Sequence, residues 1–496
     1  MKRRLVTLVA VTLSSFVVGL GTAAETRLAY AATITVTTTA DELNDDGDCS
    51  LREAVQAANT DAAVDACSAG SGADTIVVPP GTYLLTIAGR NEHANAAGDL
   101  DITSDLTISG AGAAASVVQA GINFVTFHPV DRVLQVFAGA DVKISGLTIQ
   151  GGEVAPVPFG GVEFAGGGIA NGGSLELIDS VVRDNFAAVG GGISNGGTLT
   201  LTRSTIRSNL AGGPDGGSGG GMNNGGSATL IDSTVSGNTL VSPDGISIGN
   251  GILNTGALTL VGSTVSGNGG TPGGGIFNVP VSAGSSVTLT NSTVSGNEGG
   301  GVINSAYSST ATLTLSNATL ADGFSSNEFG GAVTVNSKNS IISTCSGVLT
   351  SQGYNLLQSS SGCTVSGDPA GNVIDADPLL GPLADNGGPT ATHALPAGSP
   401  AIDAGSPDCP PPAGDQRGVA RPQGTACDIG AFEVASVGGP PTPIGGIGLL
   451  PSVDGAPLEA EGASGRSADV VAGAVAAGAV VTALGGAAWY ARRRQG

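Results

Sequence analysis

The sequence predicts an all-β chain: a single-stranded parallel β-helix with a short N-terminal capping helix and one C-terminal transmembrane helix. Three observations carry that expectation. A Gly- and Asn-punctuated unit recurs every 24–30 residues. Inside each unit every second residue is apolar, the period of a half-buried strand. No helical period survives across the region. Of 496 residues, 83 are Gly and only 12% are charged, against roughly 7% and 25% in an average domain. A positive mean hydropathy excludes simple disorder, and the lack of a three-residue Gly period excludes collagen.

The elements follow in chain order. Lys2, Arg3 and Arg4 precede an apolar run from Leu5 to Leu20, and Ala29-Tyr30-Ala31 supplies a small-x-small cleavage pattern. Residues 1–31 therefore read as a secretory signal, with an uncleaved anchor as the alternative. Residues 32–72 form an N-terminal cap. There Ser50-Leu51-Arg52-Glu53 is a capping box, and Leu51, Ala54, Val55 and Ala58 give a helix one apolar stripe with which to seal the first rung.

Residues 73–375 are the solenoid. Six segments align within it: GGGIANGG from Gly166, GGGISNGG from Gly190, GGGMNNGG from Gly219, GNGILNTG from Gly249, GGGIFNVP from Gly273 and GGGVINSA from Gly299. A second marker follows most of them: DSVVRDN, RSTIRSN, DSTVSGN, GSTVSGN and NSTVSGN. Asn171, Asn195, Asn224, Asn254, Asn278 and Asn304 share one repeat position, and Asn185, Asn209, Asn238, Asn268 and Asn297 share another. Rungs ~4.8 Å apart would let such amides hydrogen-bond in ladders; the functional alternative is a glycan- or ion-binding stripe. About eleven rungs would make a rod of roughly 50 Å.

Residues 376–435 read as a C-terminal cap and 436–469, rich in Gly and Pro, as a flexible stalk. The uncharged stretch Val470–Trp489 is long enough to span a bilayer. The basic tail, 490–496, would hold the C-terminus in the cytoplasm. A processed sorting signal is the alternative to this anchor.

Six cysteines fall at 49, 67, 345, 363, 409 and 427. They allow fifteen connectivities, of which local pairing, Cys49–Cys67, Cys345–Cys363 and Cys409–Cys427, is the economical one. An exported chain favours disulfides over metal thiolates. Residues 32–469 carry 39 acidic and 11 basic side chains, a net charge of −28. That field repels nucleic acid and could attract cations.

Several of these stretches resemble known families. The paired GGG[I/V/M]xxN and STVSGN elements resemble the repeats of polymorphic outer-membrane proteins and of pectin-lyase-like right-handed β-helices. Cys49-Ser50-Leu51-Arg52-Glu53-Ala54 resembles the CSLREA domain of exported β-helix proteins. Asp377-Pro378-Leu379-Leu380-Gly381, Asp385-Asn386-Gly387-Gly388, Gly398-Ser399-Pro400-Ala401-Ile402-Asp403, Asp415-Gln416-Arg417-Gly418 and Asp428-Ile429-Gly430-Ala431-Phe432-Glu433 resemble the choice-of-anchor Q domain. The resemblance implies a right-handed column and a surface anchor downstream.

Chemistry is less legible. Glu42, Asn44, Asp46 and Glu53 fit a calcium-loop pattern around Gly47, with Glu42 in place of the usual first Asp; a polar turn leading into the helix is the alternative. Lyase chemistry would need carboxylates beside an Arg base. Asp179, Arg183, Asp184, Arg203, Arg207 and Asp232 are the candidates, against an exposed corner ladder of charge. The Gly-His-Gly element of related galacturonases is missing, and His93, His128 and His393 lie outside the regular repeats. Phe124, Phe127, Phe137, Phe159, Phe164 and Phe186 could form a sugar platform or fill core and loop positions. The expectation is a non-catalytic cell-surface protein for adhesion or for binding a glycan or envelope component. It is anchored in the cytoplasmic membrane through 470–489, without nucleic-acid partners and with Ca²⁺ as the one candidate cofactor. The alternative is a polysaccharide lyase or glycoside hydrolase.

Overall fold

A computed structural model describes residues 31–435, except 91, 124–127, 130, 155–164, 214–215, 242–246, 271–272, 282 and 410. The chain divides into two compact units, Met1–Gly445 and Gly446–Gly496, and every described residue belongs to the first. Nearly all of the expected signal segment, the stalk, the 470–489 span and the basic tail lie outside the described residues. Among the described residues no helix is long and apolar enough to cross a membrane.

The first unit is a parallel β-helix. Each regular rung contributes one strand to each of three parallel ladders. In one rung these are Ile193–Asn195, Thr198–Thr202 and Thr205–Arg207. We call their ladders 3, 1 and 2. The register is in phase from rung to rung: Ile169 pairs with Ile193 and then Met222, and Leu199 with Ala228 and then Leu258. The period-two reading holds, because Leu199, Leu201, Val287 and Leu289 point into the column and are fully buried while their Thr neighbours face out. Ladder 2 has 12 strands, and at ~4.8 Å per step the column is about 53 Å long.

Glycine spacing follows from the corners. Gly166, Gly190, Gly219 and Gly249, the first of each glycine cluster, have φ of 75°, 63°, 62° and 74°. A Cβ there would also strike the carbonyl of the residue three positions on. The third glycine has a different reason: a Cβ on Gly168, Gly192, Gly221, Gly251 or Gly275 would stand 2.7–2.8 Å from the amide nitrogen of Asn185, Asn209, Asn238, Asn268 or Asn297. The glycine cluster and the second marker are thus one packing unit.

Both asparagine rows form ladders inside the column. Each amide from Asn171 through Asn278 donates to the next, through Asn195, Asn224 and Asn254 to Asn304, at 2.7 Å. The second row, Asn185 to Asn297, does the same at 2.8–3.0 Å and ends on the Asp322 carboxylate. A third ladder was not foreseen. Ser204, Ser233, Ser263 and Ser292 accept through Oγ from the backbone N–H of the preceding serine in the row, at 3.1–3.2 Å. It was visible in the second letter of every DS/RS/GS/NS marker.

At the N-terminal end the helix spans Leu51–Thr60 with both halves of the capping box made. Ser50 Oγ accepts from the Glu53 amide at 3.1 Å, and Glu53 Oε2 accepts from the Ser50 amide at 2.9 Å. Leu51, Ala54, Val55 and Ala58 are buried against the strands Asp74–Val78 and Leu100–Ile102. All three local disulfides form, with Cα separations of 4.9, 5.5 and 6.2 Å for Cys49–Cys67, Cys345–Cys363 and Cys409–Cys427.

The expected C-terminal cap needs correction. Residues 376–435 run back along the flank of the column over ladder 2 instead of closing its end. Thr390 Oγ1 donates to Gly262 O, Thr293 Oγ1 to Gln416 Oε1, and the Ala431 amide to Thr319 Oγ1. Leu395, Ala401, Ile429 and Phe432 pack on Ile341 and Leu356. The last ladder-1 strand, Cys363–Asp368, stays largely exposed, and Val365, in line with the buried Leu349, is 36% exposed. The physical reason lies on the outer face of ladder 2. Its Thr, Ser and Ile side chains offer both hydrogen bonds and apolar area, whereas the end offers the edges of Cys363–Asp368 and Val373–Ile374.

Candidate functional site

The outer face of ladder 3 carries a groove of about 800 Å³ in the irregular early rungs. Its floor is a row set by strand register: Gln135, Ala170, Ser194 and Asn223 are successive partners. Gly172 and Gly196 line it beside them and keep the corner low. Three steps of ~4.8 Å make the row about 14 Å long, running along the column axis. Phe137, half-buried, forms one wall with His93 set edge-on at 5.3 Å.

At the head of the groove lie Asp99, Asp131 and Arg132, which are 3%, 4% and 6% exposed. Arg132 Nε is 3.3 Å from Asp99 Oδ2 and 3.8 Å from Asp131 Oδ1, and Arg132 Nη1 donates to Ala165 O at 3.2 Å. Burial pushes the Asp99 carboxyl well above the usual carboxylate range, and Arg132 opposes that shift. Burial also raises Asp131, against Arg132 and its own backbone contact. Asp101, fully buried behind them, is raised to about 6 by burial.

The capping helix builds this site. Arg52 of the Cys-Ser-Leu-Arg-Glu-Ala stretch is fully buried. It holds Asp41 with Nε and Nη2, at 2.6 and 3.2 Å, and donates to the carbonyls of Gly98 and Asp99 at 2.7 and 3.1 Å. Asn95 donates to Arg52 O, and Asp101 Oδ2 accepts from the Asn95 amide. One buried guanidinium therefore fixes the backbone that presents Asp99. The sequence pointed to none of Asp99, Asp131 and Arg132, because they lie in rungs without the repeat; the Arg52 motif was the one available signal.

The residues singled out from sequence lie elsewhere. Arg183 and Arg207 are ladder-2 partners on adjacent rungs; Arg183 pairs with Asp184 at 2.7 Å at the surface. Arg203 holds Asp179 with two hydrogen bonds of 2.8 and 2.7 Å, and both are about half exposed. Asp179, Arg203 and Asp232 occupy one row of left-handed corners, with φ of 48°, 47° and 50°, continued by Gly262 and Asn291. Asp232 is raised by burial and opposed by Arg203. These groups share a corner that none of the described cavities includes.

The calcium-loop residues separate. Glu53 is fully buried, and its two oxygens accept from the Asn44 and Ser50 amides at 3.0 and 2.9 Å, so it closes the turn instead of facing a cation. Asn44 Nδ2 bridges Glu42 and Asp46. The carboxylates that converge, within 4.8 Å, are Glu42, Asp46 and Asp48. Glu42 is raised by desolvation and by its acidic neighbours. Of the proposed aromatic platform, Phe137 lines the groove and Phe186 sits in a short strand. Phe124, Phe127, Phe159 and Phe164 lie outside the described residues.

No family model matches the chain, and no curated protein matches it. Two solved structures align with parts of the chain. The catalytic unit of a thermostable GH87 α-1,3-glucanase from Streptomyces thermodiastaticus strain HF3-3 matches with a TM-score of 0.38 and 16% identity over 69% of each chain. The A-module of the Azotobacter vinelandii mannuronan C-5 epimerase AlgE6 matches with a TM-score of 0.33 and 15% identity, covering 60% of this chain and 86% of that one.

Proposed function

We propose that this is an exported, membrane-anchored β-helix protein, of CSLREA and choice-of-anchor Q type, that binds a linear uncharged glycan in the ladder-3 groove at the cell surface. The observation that carries the reading is the groove itself: a straight row of small and amide side chains, walled by an aromatic ring and running with the strand stack. Polar rims and an aromatic wall suit hydroxyl-rich rings with apolar faces. The acidic head and the chain's net charge of −22 oppose nucleic acid and polyuronate alike. Adhesion to an envelope or neighbouring-cell polysaccharide is the role such a site supports. The cytoplasmic-membrane anchor rests on the 470–489 segment.

The test is a glycan array probed with the full-length protein and with Ser194→Trp, which places an indole across the floor of the groove. Wild-type binding to one or more neutral glycans, lost in Ser194→Trp and kept in Arg207→Ala, supports the site. Binding that Ser194→Trp leaves intact, or that Arg207→Ala abolishes, places the site elsewhere.

A further inference from the structure

We propose that the protein holds its glycan at a second station, the stacked aromatic pair Tyr307 and Phe329, and so selects long neutral chains over short ones. This rests on the groove being the glycan site. Tyr307 and Phe329 are 53% and 59% exposed. Their rings stack with centroids 4.8 Å apart and planes 13° from parallel. That separation exceeds the ~3.5–4.0 Å contact of stacked carbons, so the rings are offset and each keeps part of a face open. Single exposed apolar residues are ordinary, whereas a contiguous exposed patch marks a site of interaction. One rung earlier the same corner exposes Val281, at 71%.

Strand register puts this pair in line with the groove. The turn from ladder 3 to ladder 1 carries Phe137, the aromatic wall, after Leu134–Val136. The same turn carries Tyr307 after Val302–Ala306 and Phe329 after Phe324–Glu328. Seven strand pairings lead from the first of these rungs to the last, which at ~4.8 Å per step is about 34 Å. In the rungs next to Phe137 the turn is a glycine pair: Gly172-Gly173, Gly196-Gly197 and Gly225-Gly226. The fold requires only the second glycine of each. A Cβ on Gly173, Gly197 or Gly226 would strike the carbonyl oxygen of Phe137, Gly173 or Gly197 in the preceding rung. On Gly172, Gly196 or Gly225 its nearest neighbour would be 3.4, 3.7 or 3.6 Å away, an ordinary contact, and none of the three has positive φ. Glycine at these exposed positions costs chain entropy without relieving any clash. What it provides is a bare strip of corner between aromatic side chains, along which a straight chain can lie. Aromatic faces at both ends suit the C–H faces of sugar rings. An extended β-1,4-linked chain advances by roughly one unit per rung, so reaching both stations takes about seven or eight units. Occupying the groove then raises the effective concentration of the same chain at the pair.

The experiment measures calorimetric Kd on full-length protein for four-unit and ten-unit β-1,4-linked glucan, mannan and chitin oligosaccharides. The ten-unit form of a sugar that binds should hold at least ~10-fold tighter than its four-unit form. Replacing both rings, Tyr307→Ser with Phe329→Ser, should remove that gain and leave the four-unit Kd within about twofold. Gly225→Gln, a side chain the backbone admits, should do the same by blocking the strip. Phe329→Trp keeps an aromatic face and supplies a reporter: its emission should change with the ten-unit ligand and not with the four-unit one. Equal affinity for the two lengths, a gain that survives loss of both rings, or an indole blind to the long ligand overturns the second station and leaves the groove standing. Failure of every oligosaccharide to bind overturns the groove reading, and the second station with it.

Discussion

Asn224→Ala tests the internal ladder at its middle. Asn224 is fully buried and makes three hydrogen bonds: Nδ2 to Asn254 Oδ1 at 2.7 Å and to Ala257 O at 2.9 Å, with Oδ1 accepting from Asn195 at 2.7 Å. Each is worth about 0.5–1.5 kcal/mol net. The substitution also strands Asn254 Oδ1 in the core, at about 1–3 kcal/mol. Asn195 loses less, since its Nδ2 keeps Gly197 O and Ser227 O. Together these come to about 2.5–7.5 kcal/mol. Urea unfolding followed by far-UV circular dichroism reads it, with hydrogen exchange of residues 195–257 to show where the column opens. Two comparisons give the number meaning. Asn223→Ala, on the same strand but facing the groove, should cost under about 0.5 kcal/mol. Asn304→Ala, at the ladder end, should cost about half the central value, because its Nδ2 has only long backbone contacts of 3.3 and 3.4 Å. A loss below ~1 kcal/mol at Asn224, or equal losses at 223 and 224, would refute the claim that stacked amides hold the rungs in phase.

Other expectations follow from the same geometry. Asp101 titrates near 6 when folded against 3.8 unfolded, so the unfolded state binds fewer protons between those values. Its contribution therefore falls by about 3 kcal/mol in all as pH rises from well below 3.8 to well above 6, about 2 kcal/mol of it between pH 4 and 6. Asp101→Asn should raise the melting temperature at pH 7 and flatten that part of the stability–pH curve; a steeper curve would contradict it. Arg421 and Glu433 form a fully buried pair at 3.0 Å in the flank segment, so Arg421→Ala should cost about 3–5 kcal/mol and make residues 376–435 the first site of limited proteolysis. Arg203→Ala, which removes a pair at the solvent surface, should shift stability by less than about 1 kcal/mol; a larger loss would give that corner a role not evident in its contacts. Replacing Cys49 and Cys67 by Ser should cost about 3 kcal/mol for a loop of this length, seen as early exchange of the helix Leu51–Thr60.

The repeat makes much of the fold legible in the sequence. Alternation in Thr198–Thr202 reports which side chains face in, and in-phase stacking turns equal repeat positions into vertical rows. Hence the Asn rows, the local disulfides and the Ser50–Glu53 cap were readable. The same logic groups residues at the corner without saying what they do. Asp179, Arg203 and Asp232 share a row because a left-handed turn recurs there, and recurrence of a turn says nothing about a substrate. Glu53 was claimed by two motifs, and burial resolved the competition in favour of the cap.

The amino-acid order alone determined the rung, because hydrophobic period, glycine placement and asparagine spacing act within one turn of chain and its nearest neighbours. Tertiary structure alone decided the rest. Asp99, Asp131 and Arg132 meet Asn171 and Asn223 only when irregular early turns stack against regular ones, and the 376–435 segment chooses the column's flank only once ladder 2 presents a continuous face. Contacts between segments separated by dozens to more than a hundred residues depend on how many rungs intervene and where each loop turns, and a local periodicity carries no record of either.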